Sequence, residues 1–266
     1  MPTLPVGEPH QFRAAAESFG ADAERYDRSR PSYPAGLVAR IVAESPGPDV
    51  LDVGCGTGIA ARQFQAAGCT VLGVDVDARM AELARRQGLT VEVATFESWD
   101  AAGRTFDAVV AGQTWHWIDP VAGTAKAASV LRPGGLLCVF WNAFQLPAEL
   151  GAAFAEVYRR ALPDSPMHQR MSTPGPDGYQ PLATRAGDGI RDSGAFDEPE
   201  QWSFDWERTY TRDEWLDQVP TSGINTQLPP ATLQEILAGL GAAIDALGGA
   251  FTMRYTTLAV TARSPR

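Results

Sequence analysis

Val50-Leu-Asp-Val-Gly54-Cys-Gly56-Thr-Gly58 decides the fold of this 266-residue chain. Four residues dominated by Val and Leu read as a short buried strand, and three glycines at alternate positions then let the backbone turn where any Cβ would collide with a ligand. A helical stretch follows at once from Ile59 to Ala67, with Ala60, Phe64 and Ala67 on one face and Gly68 as its stop. A strand, a glycine turn and a helix N-terminus in succession present backbone N–H groups to a nucleotide-like ligand in α/β proteins. The dinucleotide fingerprint G-x-G-x-x-G would need a small residue at position 59, which is Ile59; the spacing here is G-x-G-x-G.

Three further stretches agree. Cys69-Thr-Val-Leu-Gly-Val-Asp75 is a second apolar strand ending in an acid, whose carboxylate can accept both hydroxyls of a ribose. Phe106-Asp-Ala-Val-Val-Ala111 reads as another strand, and Leu131-Arg-Pro-Gly-Gly135-Leu-Leu-Cys-Val-Phe140 as a turn and a strand. In order and spacing these four motifs resemble those of the class I S-adenosyl-L-methionine (SAM)-dependent methyltransferases. The resemblance implies a Rossmann-like α/β fold with helices on both faces of a seven-stranded sheet in the order 3-2-1-4-5-7-6, the last-hairpin strand antiparallel.

The composition sets outer limits. A hydrophobic content of 44% suits a sizeable core. Net charge −10, with the 22 Lys and Arg scattered, argues against nucleic acid; Arg25, Arg28 and Arg30 around Tyr26 are too few to track a duplex. No run of 18 apolar residues suggests a membrane span, and the N-terminus lacks a signal pattern. Cys55, Cys69 and Cys138 sit in or beside strands and read as reduced thiols of a cytoplasmic protein. Neither C-x-x-C nor a histidine cluster suggests a metal.

Along the chain, residues 1 to 11 read as a disordered lead-in, and Phe12, Ala16, Phe19, Ala23 and Tyr26 as one face of a helix. Leu37 to Val42 mark a second helix, Asp77 caps a third, and Asp119-Pro120 opens a fourth that runs to Leu131. Residues 147 to 161 read as a helix; 163 to 199 are rich in Pro, Gly, Asp and Ser and read as a lid or a structureless segment. Gln201 to Glu207 alternate as a strand, Thr211-Arg-Asp-Glu214 is a capping box, Leu233 to Leu247 carry a strong helical stripe, and Phe251 to Val260 form a last strand. The expected organisation is an N-terminal helical lid over 1–45, a SAM-binding core over 46–142, a substrate-side cap over 143–200, and completion of the sheet over 201–266.

By the resemblance, Gly54, Cys55, Gly56 and Gly58 pass beneath the methionine and ribose parts of the cofactor, Asp52 orients its amino group through backbone or water, and Asp75 takes the ribose. Val76 and Met80 pack on the adenine, unless Met80 is plain helix core. Thr95 stands where relatives carry an Asp for the adenine amino group, so Phe96 would serve through its backbone N–H, with Glu97 next to it. Ala111 and Gln113 close the end of the fourth strand near the transferred methyl. Tyr26 and Arg30-Pro-Ser-Tyr33 resemble the opening segment of the trans-aconitate methyltransferase-like subgroup, which implies that Arg30 meets the cofactor carboxylate; otherwise it is a surface arginine beside a turn. His116 in Gln113-Thr-Trp115-His-Trp117 is the candidate catalytic residue, either as general base or as pocket wall. Tyr33, Trp115, Trp117, Trp141 and Asn142 are candidates for the acceptor pocket, whereas Trp202 and Trp206 read as sheet-face packing.

These residues imply methyl transfer from SAM to a small-molecule acceptor by in-line displacement, leaving S-adenosyl-L-homocysteine (SAH) and working mainly through positioning. A protein of this fold with other SAM or SAH chemistry, or a non-catalytic cofactor-binding subunit, is the alternative. The acceptor and the oligomeric state are not readable from the residues.

Overall fold

The computed structural model describes residues 17–165, 167–172 and 175–265. Its frame begins with β1 (Asp49–Val53), whose Val50, Leu51 and Val53 are all buried because both faces of the strand are covered. β1 pairs in parallel with β2 (Thr70–Asp75) and β4 (Phe106–Gly112); β2 pairs with β3 (Thr90–Val93) and β4 with β5 (Leu131–Gln145), again in parallel. β7 (Ala250–Arg263) runs antiparallel between β5 and β6 (Glu200–Thr211), so the seven strands lie in the order 3-2-1-4-5-7-6.

The period of two along β1 sends Val50 to one core and Leu51 and Val53 to the other. The first core holds α2 (Ala35–Glu44), α3 (Ile59–Ala66) and α4 (Ala78–Arg86); the second holds α5 (Pro120–Val130) and α8 (Gln180–Ser193). Helix α8 corrects the reading of residues 163 to 199 as structureless. That stretch contains α7 (Met167–Ser172) and α8, and Leu182, Ala183, Ala186 and Ile190 of α8 pack on the sheet beside Trp141. The face is helical in spacing but built largely of Ala and Gly, too weakly hydrophobic to stand out among its polar neighbours.

β5, β6 and β7 are 15, 12 and 14 residues long, against seven or fewer for β1 to β4. Their surplus length projects beyond the carboxyl edge of the parallel strands: Ala143–Gln145 pair with Arg254–Thr256, and Trp206–Thr211 with Ala250–Tyr255. This ribbon carries a third core, formed with α6 (Ala148–Ala161), α9 (Arg212–Gln218) and α10 (Pro230–Ala246), in which Phe154, Trp215, Leu240, Phe251 and Tyr255 meet. The expected capping box is present at the start of α9: Thr211 accepts from the Glu214 N–H while the Glu214 carboxylate accepts from the Thr211 N–H.

At the N-terminus a 3-10 turn (Glu17–Asp22) leads into α1 (Ala23–Ser29), later and shorter than the helix expected from Phe12; Phe12 and Ala16 lie outside the described residues. Arg25 and Arg28 both pair with Asp217 of α9, and Asp27 accepts from Arg62 of α3 at 2.8 Å. The short helix therefore ties the core to the capping ribbon.

Candidate active site

The carboxyl ends of β1, β2 and β4 turn into one cavity of about 500 Å³, and the capping ribbon closes over it. Gly54 adopts φ 64°, and a Cβ there would fall 2.0 Å from Thr114 Cγ2, so the turn needs glycine for both conformation and space. Gly58, at φ 87°, is the residue from which α3 starts. The Gly56 N–H donates to one Asp75 carboxylate oxygen at 2.7 Å and the Asp77 N–H to the other at 2.8 Å, which locks the acid at the mouth of the turn. Each oxygen keeps a second lone pair for a hydroxyl donor.

Burial pushes the Asp75 carboxyl above the usual range despite those bonds. Asp52, 1% exposed on the neighbouring strand, is pushed up to about 8 by burial and then by the Asp75 charge, and its Oδ2 has no hydrogen-bond partner among the described residues. Two acids held side by side in apolar surroundings are suited to a ligand that brings hydroxyl and ammonium donors. The Gly54 turn, a cradle that a Cβ would fill, and the Asp75 clamp with its remaining lone pairs fit the ribose side of SAM.

Of the residues expected at the cofactor, Tyr26, Arg30, Gly54, Gly56, Asp75, Val76, Met80, Thr95, Phe96, Glu97 and Gln113 line the cavity. Asp52, Cys55, Gly58 and Ala111 lie behind its wall: Cys55 packs on Gly73, and Ala111 is fully buried in the core. Thr95 bonds the Ser98 hydroxyl, and Glu97 accepts from the Asp119 N–H at 3.0 Å. Gln113 takes a positive φ of 59° as the chain leaves β4. The Arg30 guanidinium lies 4.9 Å from the Tyr26 ring and donates to the Thr221 carbonyl at 3.0 Å, while its Nε has no partner among the described residues.

On the acceptor side Tyr33, His116, Trp117 and Asn142 line the cavity. Trp115 and Trp141 do not; both side chains belong to the core on the α5–α8 face. Strand alternation explains Trp141: Phe140 and Trp141 point to opposite faces, and Trp141 follows Leu137 and Val139 inward. Its indole N–H nevertheless reaches the site from below, donating to His116 Nδ1 at 3.2 Å. Burial pushes the His116 imidazole down to about 3. Asn142 is held by Thr257, which donates to its Oδ1 at 2.7 Å, and donates through Nδ2 to the Ser32 carbonyl.

The remaining wall comes from the cap, where Phe144, Phe154, Tyr158, Trp215, Leu240 and Tyr255 face the same space. Motif reading had no access to these residues. The α10 stripe shows that Leu240 is buried, but not that its helix folds across the end of the sheet. The Tyr158 hydroxyl accepts from Asn225 at 3.0 Å, and burial raises it to about 12. Among the described residues no helix is long and apolar enough to cross a membrane, and no group of His, Cys, Asp and Glu could hold a metal.

Comparisons with known proteins bear on the family and the fold. The methyltransferase domain family matches residues 50–135, the segment that contains the glycine turn and Asp75. An uncharacterized methyltransferase of Mycobacterium bovis is 37% identical over 128 residues, 47% of this chain and 52% of the relative, so the match spans about half that protein's length. A ubiquinone biosynthesis O-methyltransferase of Cereibacter sphaeroides is 31% identical over 182 residues, 65% of this chain and 72% of the relative. A solved structure from Anaeromyxobacter dehalogenans, 23% identical, shares the fold with a TM-score of 0.62 over 89% of this chain and 99% of its own. With its motifs, strand order and relatives in accord, the chain belongs to the class I SAM-dependent methyltransferases.

Proposed function

We propose that this protein transfers the methyl group of SAM to a small, largely apolar acceptor held under the cap. One observation carries the reading: a single cavity has the glycine turn with Asp75 as one wall and the aromatic residues of the cap as another. When bound, SAM supplies a methyl group on a sulfonium, already activated toward displacement. The protein's part is then to align donor and acceptor and exclude water, which is worth several kcal/mol of barrier (~7–11 at best).

Asp75 holds the ribose, Asp52 orients the ammonium group from behind the wall through backbone or water, and Val76 and Met80 sandwich the adenine with Phe96. Arg30 turns its free Nε toward the cofactor carboxylate, a charge-assisted contact. The acceptor lies between His116, Trp117 and Asn142 on the core side and Phe154, Trp215 and Tyr255 on the cap side. Flat apolar walls suit a ring, in keeping with a relative named for O-methylation in ubiquinone biosynthesis.

Calorimetry with SAM, SAH and NAD tests the cofactor half: both sulfur compounds bind and NAD does not. Release of label from methyl-labelled SAM onto candidate ring acceptors tests the transfer. Binding of SAM without methylation of any acceptor would favour a protein of this fold with other chemistry.

A further inference from the structure

We propose that Trp141 fixes His116 as a neutral imidazole with its proton on Nε2, so that His116 donates a hydrogen bond to an unprotonated oxygen of the acceptor instead of removing a proton from it. This rests on the acceptor lying in the cap-side part of the cavity, as proposed above.

An indole N–H can only donate. Because Trp141 Nε1 donates to His116 Nδ1, that nitrogen must offer its lone pair, and in a neutral ring the proton then sits on Nε2. Protonation of Nδ1 would set two N–H groups against each other inside the wall. Trp141 cannot turn away: it is 1% exposed, packed in the sheet core, and its strand is paired through Trp141–Leu258. On the other side the Trp117 ring lies 4.9 Å from the imidazole and braces it. Nε2 has no partner among the described residues, and His116 lines the cavity. Burial acts in the same direction as the indole, disfavouring the imidazolium.

Among the described residues no other group on this side replaces the base. The core side contributes Tyr33 and the cap Tyr158 and Tyr255, and burial holds all three hydroxyls above their ordinary range. The opening segment contributes Tyr26 and Arg30; Asp75, Asp77 and Glu97 belong to the cofactor wall. The acceptor class that fits is an acidic phenol or enol that enters ionised, its proton already lost to solvent. As its oxygen forms the bond to the methyl carbon, the S–CH3 bond breaks and its electron pair goes to sulfur. Phenolate and sulfonium become neutral ether and thioether, and no proton remains for His116 to take.

Nitrogen-15 NMR of the full chain, with and without SAH, reads the tautomer directly, His116 being assigned by its loss in His116→Gln. A protonated Nε2 and bare Nδ1, unchanged from pH ~5 to ~8, is the expected result; titration near the ordinary ~6.5 or a proton on Nδ1 would overturn the proposal. Trp141→Phe should admit the second tautomer, and an unchanged signal would remove Trp141 as the cause.

The recognition half uses 4-nitrophenol with SAH-loaded protein, read by the absorption of its phenolate. Phenolate should bind about tenfold more tightly than phenol, His116→Gln should keep most of that preference, and His116→Phe should abolish it. Preference for the neutral phenol, equal behaviour of His116→Phe, or no binding by a protein that still takes SAH would overturn it. Failure to bind SAH at all would instead strike the cofactor reading, and the NMR result would stand independently.

Discussion

Asp75 and Asp52 lie on adjacent strands, one on the cavity wall and the other behind it, and their environments separate their roles. Asp75 is clamped by two backbone N–H groups and, in the proposed role, gives the ribose a pair of bonds, so its removal should cost the ligand those bonds and affect the packing of the strand end little. Asp75→Ala should weaken SAM and SAH binding by ~1.5–3 kcal/mol, measured by calorimetry, with the fold intact by circular dichroism. Asp52 predicts a pH effect. Its folded-state value, about 8, lies above the ~3.9 of an unfolded chain. The native state therefore holds the proton more tightly, and the stabilising contribution is complete below pH ~4 and lost as pH rises through 8. Ligand-free protein should lose melting temperature between pH ~4 and ~8. Asp52→Asn, neutral throughout, should flatten that slope and recover on the order of 1 kcal/mol at the alkaline end. An unchanged slope in the variant would mean that the carboxyl ionises freely in the folded protein.

Two elements whose sequences gave little sign of their role connect the core to its surroundings. Helix α8 carries two buried internal glycines that differ in what lies beside them. A Cβ on Gly187 would meet nothing nearer than Arg191 Nη1 at 3.6 Å, whereas one on Gly189 would press on Pro120 Cβ at 3.1 Å and its carbonyl oxygen at 3.3 Å. Gly187→Ala should stabilise by about 0.5–1 kcal/mol through the lower entropy of the unfolded chain. Gly189→Ala should destabilise, because the Pro120 backbone at the start of α5 has to move; thermal melts of the two variants give the sign. Helix α1 is held by Arg25 and Arg28 on Asp217, all partly solvent-exposed, a pairing worth ~1 kcal/mol or less. Asp217→Asn should therefore hardly change the melting temperature but should speed amide exchange over residues 23–29 in the ligand-free protein. If the helix acts as a lid, SAH should restore that protection, since Tyr26 and Arg30 then gain a ligand. Equal protection in every state would make α1 fixed structure.

At the scale of the whole molecule, the cavity joins the sheet edge to the cap, so a ligand spanning it should stabilise both together. SAH at about one hundred times its dissociation constant should raise stability by ~2.7 kcal/mol in a single unfolding transition, and NAD should give no shift. A split transition would show that the cap melts independently of the core. The cofactor half of the cavity was legible in the residues because its chemistry is local: Gly54 to Gly58 and Asp75 act through backbone conformation at strand ends, and a strand followed by a turn can be read from adjacent positions. The strand order became an expectation through the same motifs. The acceptor half depends on contacts between distant segments. Phe154, Trp215 and Tyr255 come from α6, α9 and β7, brought together only because three strands outrun the parallel sheet and fold their helices back over its edge. The same applies to His116. The residues His-Trp announce a polar group near the site, but its tautomer depends on an indole 25 positions away, buried on the opposite side of the wall. Local sequence determined where a nucleotide-like cofactor fits, because backbone geometry is set by neighbours. Tertiary packing decided what the acceptor meets, because burial and hydrogen-bond direction are properties of residues that meet only in the fold.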